Sequence, residues 1–106
     1  SLLAQGNAKD AIAPLARAAS ADKSPRAFAA LGRAYLTAGQ PERAIVALRA
    51  ALAGDEDGSI HFQLARACQR TGRVEEARKM DAASERLRKA LDEKQARMRD
   101  MEIAAP

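Results

Sequence analysis

The sequence predicts an all-α fold in which helical hairpins stack into a superhelix and a long helix closes the chain. Three observations predict it. Hydrophobic residues make up 47% of the chain, mostly Ala and Leu, while aromatic residues make up 3%; that balance suits closely packed helices and offers little to a sheet. Gly6, Gly39 and Gly72 stand 33 residues apart, and Ala11, Ala44 and Ala77 each follow a glycine by five. Between the glycines, apolar residues recur at helical spacing.

The register extends beyond these triplets. Leu15 pairs with Leu48, Ala18 with Ala51, and Leu31 with Leu64, while Asp81 and Ser84 depart from it in the third copy. Such self-similarity marks a repeat architecture. A single helical hairpin buries too little to be stable, so the copies must share one continuous core.

The first copy, residues 1–22, is a partial repeat. Leu2, Leu3 and Ala4 read as the end of a leading helix, Gly6 as a turn, and Asn7 as the N-cap of a helix over residues 8–19. Pro14 removes one backbone hydrogen bond there and predicts a kink or local distortion. The second copy, residues 24–56, is complete. Ser24 is an N-cap type residue with Pro25 at the first helical position. Phe28, Leu31 and Tyr35 lie on one face of the helix that follows. Gly39 suits a left-handed C-terminal position. Pro41 and Glu42 open the next helix, whose buried stripe is Ala44, Ile45, Leu48, Ala51 and Leu52. Gly32, Ala44 and Ala51 allow close helix approach, and Phe28, Tyr35 and Leu48 fill the gaps. The third copy, residues 57–84, is degenerate. Asp57-Gly58-Ser59 opens a helix to about Gln69, Gly72 ends it, and Glu75 and Glu76 suit the next helix N-terminus.

These residues resemble the tetratricopeptide repeat. The family pattern of a bulky residue, Leu-Gly, Tyr, then Ala, Leu and Ala is met by Phe28, Leu31-Gly32, Tyr35, Ala44, Leu48 and Ala51. The third copy keeps only His61, Leu64-Ala65, Cys68 and Ala77. Glu56 stands near the usual closing Pro, and the period is one shorter than the family's 34. The resemblance covers residues 1 to about 85. It implies a right-handed superhelix whose first helices line a concave, partner-binding groove. Carried over position by position, it implies groove residues Arg26, Ala29, Ala30, Arg33 and Thr37 in the second copy. In the third it implies Ser59, Phe62, Gln63, Arg66, Gln69 and Arg70. The partner-binding set is Arg26, Arg33, Phe62, Gln63, Arg66, Gln69 and Arg70. A one-residue slip in the third copy would exchange His61 and Phe62 between core and groove. Ala29, Ala30 and Phe62 stand where the carboxylate clamp of chaperone-binding members needs Lys and Asn, so that specialised activity is not expected. A looser preference for acidic partners follows from Arg, which grips a carboxylate with two bonds. The same arginines serve equally well as a solvated face.

From about Val74 to Met101 no Gly or Pro occurs, enough for some 40 Å of helix. Residues 85–102 form an extension beyond the third copy. Met80, Ser84, Leu87, Leu91, Lys94, Met98 and Met101 make a heptad-like stripe, interrupted at Ser84 and Lys94. Glu75–Lys79, Glu85–Lys89 and Glu93–Arg97 are spaced for ion pairs worth roughly 0.2–0.5 kcal/mol each. The extension is a solvated helix, a surface for a second copy or a neighbour's groove, or a lead into a further domain. The tail from Ile103 to Pro106 is expected to fray.

The rest of the sequence argues against catalysis. The net charge of +4 favours acidic partners mildly. It lacks the clustered cations of a nucleic-acid domain, and aromatic stacking residues are scarce. Cys68 is alone and set in an apolar helical pattern, so it reads as a buried small side chain. His61 has no ligand partner at helical spacing, and no metal or cofactor is implied. Asp55-Glu56-Asp57-Gly58 lacks the ligand spacing of a calcium loop and reads as a solvated turn feeding charge to the next helix. No apolar run reaches membrane-spanning length. The chain begins at Ser1, in mid-element, as expected of a piece of a longer protein. Its Ala and Arg content is that of high-GC bacterial sequences. Cytoplasm and periplasm both suit it. The functional expectation is a protein-interaction module, with self-association through the long helix as the alternative.

Overall fold

A computed structural model describes the backbone of residues 2–104 and the side chains of residues 6–103. Five α-helices follow one another: α1 (Leu2–Asp22), α2 (Pro25–Thr37), α3 (Pro41–Ala51), α4 (Ser59–Arg70) and α5 (Val74–Ala104). A 3-10 turn, Leu52–Gly54, follows α3. Each helix packs on its sequence neighbour, and α2 also touches α4. The described residues contain no strand, so the fold is an all-α helical repeat.

The ends of α2 and α4 show why the glycine period produces hairpins. At the end of α2 the Gly39 amide donates to Leu36 O at 3.1 Å and the Gln40 amide to Tyr35 O at 2.8 Å. At the end of α4 the Gly72 amide donates to Gln69 O at 3.2 Å and the Arg73 amide to Cys68 O at 2.8 Å. Both turns need one residue in the left-handed region, and Gly39 and Gly72 supply it at φ 79° and 78°. The paired bonds satisfy helix carbonyls that would otherwise be orphaned. The start of α2 is equally well defined. Ser24 Oγ accepts from the Ala27 amide at 3.1 Å, with Pro25 at the first turn.

The hairpins then nest through small residues. A Cβ added to Gly32 would come within 2.6 Å of Leu48 Cγ, so α2 and α3 approach through that glycine. Ala44, Ile45, Leu48, Leu64, Ala67, Cys68 and Ala77 form one buried cluster across α3, α4 and α5. A second cluster, built on Ala19, Leu31 and Ala47, joins α1 to α2 and α3. The expected stripe on α3 is buried at Ala44, Ile45, Leu48 and Ala51, and Leu52 packs against it.

Several expectations need correction. Gly6 and Asn7 lie inside α1, which is continuous from Leu2 to Asp22; Gly6 makes no turn and Asn7 no cap. The helical hydrogen bonds continue through both residues, which costs less than breaking the helix and nucleating a second one. The helix also runs on through Pro14. It ends instead at Lys23, in the left-handed region at φ 54°. At the other end α5 includes Ile103 and Ala104; Ala105 and Pro106 lie outside the described residues. The expected pairs Glu75–Lys79, Glu85–Lys89 and Glu93–Arg97 do not form; Glu75 instead meets Arg78 at 3.7 Å. Side chains this exposed gain little from holding one geometry.

The Asp55–Gly58 turn also differs from the solvated loop expected. The Asp55 side chain is almost fully buried. Its carboxylate accepts from the Gly58 amide at 3.0 Å, from the His61 amide at 2.9 Å, and from His61 Nδ1 at 2.7 Å. Asp57 adds a bond from the Ser59 amide at 2.9 Å, which pulls its carboxyl below the ordinary range. The charge does serve the α4 N-terminus, as expected. It does so from inside the fold, and His61 is part of that cap.

Two ion pairs join the second and third repeats on the side of α3 and α5. Arg49 holds Glu76 at 2.6 Å, and Arg73 holds Glu42 at 2.9 Å. Hydrogen bonds from the guanidinium groups keep both carboxyls below their ordinary value.

Two predictions follow from these contacts. Asp55→Ala leaves the α4 donors without their acceptor and is expected to cost about 1–3 kcal/mol, read by urea denaturation. The second concerns acid. Glu42 and Glu76 bind protons less readily when folded, so their stabilisation is present above the ordinary 4.5. It is lost as pH falls through their lower folded values. The thermal midpoint should fall over that acid range, and less steeply when Arg49 and Arg73 are both changed to Gln.

Candidate interaction groove

The helices α2 and α4 are the first helices of successive hairpins, and their side chains face one another across a groove. The small residues Gly32 and Ala65 are buried on the inner sides of these helices, leaving the longer polar side chains outward. Two hollows of about 270 and 240 Å3 run along the groove. The first is lined by Arg33, Leu36, Thr37, Gln63, Arg66 and Arg70. The second is lined by Arg26, Ala29, Arg33, Gly54, Ser59, Ile60 and Gln63. Arg33 and Gln63 belong to both, so the hollows lie side by side along the groove.

No lining residue is acidic. The four arginines differ in their freedom. Arg70 Nη1 donates to Leu36 O at 3.0 Å, closing one end of the groove and occupying part of its guanidinium. Arg66 lies 5.5 Å over the Phe62 ring, a distance at which the ring face attracts the cation. Arg26 and Arg33 have no carboxylate partner among the described residues. At the centre, Gln63 Oε1 is shielded from water and meets no donor. A buried unpaired amide oxygen is costly, and a ligand N–H would satisfy it.

Of the residues expected at the groove, Arg26, Ala29, Arg33, Thr37, Ser59, Gln63, Arg66 and Arg70 line these hollows, and Ala30 does not. Phe62 and Gln69 do not line these hollows. Both turn toward the opposite edge of α4, because they sit about 100° around the helix from Gln63. Phe62 lines a separate hollow with Ser84 and Arg88 of α5. It is 47% exposed, whereas His61 bonds inward to Asp55 at 2.7 Å, so neither residue lines the groove. Leu36, Ile60 and Gly54 are groove residues that the sequence reading missed. The 33-residue register carried no signal for Leu36, since it maps that position onto Gln69, which lines neither hollow.

The other chemically active side chains are engaged in structure. Burial pushes the Cys68 thiol above its usual range, and the charge of Glu76 adds to the shift; a thiolate is disfavoured there. No cluster of three metal-ligating side chains occurs among the described residues. Among the described residues no helix is long and apolar enough to cross a membrane.

No curated protein and no solved structure matches the chain. A family model does: that of the anaphase-promoting complex, cyclosome, subunit 3, over residues 3–80. The match spans the glycine-punctuated hairpins and the whole groove. On the repeat period, the stacked hairpins and this match, the chain belongs to that family of tetratricopeptide-type repeats.

Proposed function

We propose that the chain binds an acidic segment of a partner protein along the α2–α4 groove. The observation that carries this reading is a pair of adjoining hollows lined by Arg26, Arg33, Arg66 and Arg70, with no acid among their walls. The acids nearest in the second and third hairpins are engaged elsewhere: Glu42 and Glu76 on the α3–α5 side, and Asp55 and Asp57 at the α4 cap. The groove therefore keeps uncompensated positive charge, which speeds encounter with acidic partners and selects against basic ones. Arg26 and Arg33 offer the planar donors that fit carboxylates. Gln63 Oε1 offers an acceptor to a backbone or side-chain N–H of the bound segment. Protein recognition is the general role of such repeats, and the acidic preference is specific to these side chains.

A second reading, self-association through α5, is favoured by the exposure of Met98 and Met101, 55% and 71%. These apolar side chains extend beyond the hairpin stack on a helix of 31 residues.

A peptide array of acidic, neutral and basic sequences, followed by fluorescence anisotropy, tests the groove. Acidic peptides should bind, and Arg26→Glu with Arg33→Glu should weaken them by about tenfold or more while circular dichroism stays unchanged. Binding that favours basic peptides, or is indifferent to these changes, removes the reading.

A further inference from the structure

A hollow of about 290 Å3 opens on another face, lined by Phe28, Leu31 and Tyr35 of α2 and Arg43, Val46, Ala47 and Ala50 of α3. It shares no residue with the groove. Arg43 is its only charged wall, and Val46 is 70% exposed.

The repeat register explains why it is open. Advanced by 33, the positions of Leu31, Tyr35, Arg43 and Ala47 become Leu64, Cys68, Glu76 and Met80. In that copy α3 and the turn after it cover them. Leu48 and Leu52 share a cluster with Leu64, Cys68 and Met80, and Arg49 pairs with Glu76. Set back by 33, the positions of Arg49 and Leu52 in α1 are Ala16 and Ala19. Methyl groups thus stand where a guanidinium and a branched chain stand in the next copy. Leu15, at the place of Leu48, still packs against Leu31 and Ala47, so what the second copy lacks is a second bulky apolar group, at the place of Leu52, together with a carboxylate for Arg43, which has none among the described residues.

The far end of α5 carries that pair. Met98 and Met101 are exposed, and Glu102, also exposed, lies one turn from Met98 on the same side of the helix. We propose that the hollow receives the Met98, Met101 and Glu102 face of α5 from a second copy of this chain, with Glu102 paired to Arg43. The proposal rests on the self-association reading and names its geometry. The two surfaces are different, so the contact is heterologous and copies add head to tail.

Sedimentation equilibrium over a wide concentration range tests this, with circular dichroism on each variant. The full chain should gain mass with concentration. Arg43→Glu and Glu102→Arg should each weaken association by about tenfold, and the double variant should restore it. Val46→Glu and Met101→Glu chains should each be monomeric alone and form a dimer, but nothing larger, when mixed. Association lost with Met98→Glu but untouched by Val46→Glu and Arg43→Glu would mean pairing between tails, overturning the hollow and keeping self-association. A monomer at every concentration would remove both.

Discussion

Leu48 is the side chain on which the stack depends. It is fully buried, seated against Gly32 on one side and within the cluster of Leu64 and Cys68 on the other. One residue thereby fixes both the packing within the second hairpin and the contact between the second and third. Close packing makes such a site intolerant of volume changes in either direction. The glycine at position 32 and the leucine at 48 are therefore one constraint rather than two. The relative placement of α2 and α4, and so the width of the groove, is set through it.

Charge is distributed unevenly around this core. On the α3–α5 side, Arg49 and Arg73 are matched by Glu76 and Glu42. Along α2 and α4 the arginines stand without acids, apart from the cation–ring contact of Arg66 and the carbonyl bond of Arg70. The net positive charge of the chain therefore has a location. Such a surface is electrostatically incomplete by itself, and a negatively charged partner lowers that repulsion.

The departures from repeat symmetry are as informative as the repeat. Ser84, which stands where Ala51 stands one copy earlier, is buried and donates to Gly58 O at 2.7 Å. A polar residue in the stripe of α5 is thus part of the packing at the start of α4. Beyond it, Leu87 and Leu91 remain half-buried, with Glu56 beside the same hollow. Past them the helix runs clear of the stack. The α5 stripe therefore changes role along its length, from core to open surface, without any change in its spacing.

The sequence by itself determined the hairpins from Ser24 onward, because caps, left-handed glycines and apolar periodicity are local signals written in neighbouring residues. It also determined most of the groove, since a 33-residue register carries one helix face onto the next. Tertiary structure decided what depends on which surfaces meet. Whether Gly6 turns or continues a helix depends on whether a packed partner exists for the preceding segment. Whether Asp55 is solvated or buried depends on how the turn before α4 folds onto the first turn of that helix. Which arginines remain free depends on carbonyls, rings and carboxylates supplied from more than one turn or helix away. Local pattern specifies a backbone; only packing assigns each polar group its partner.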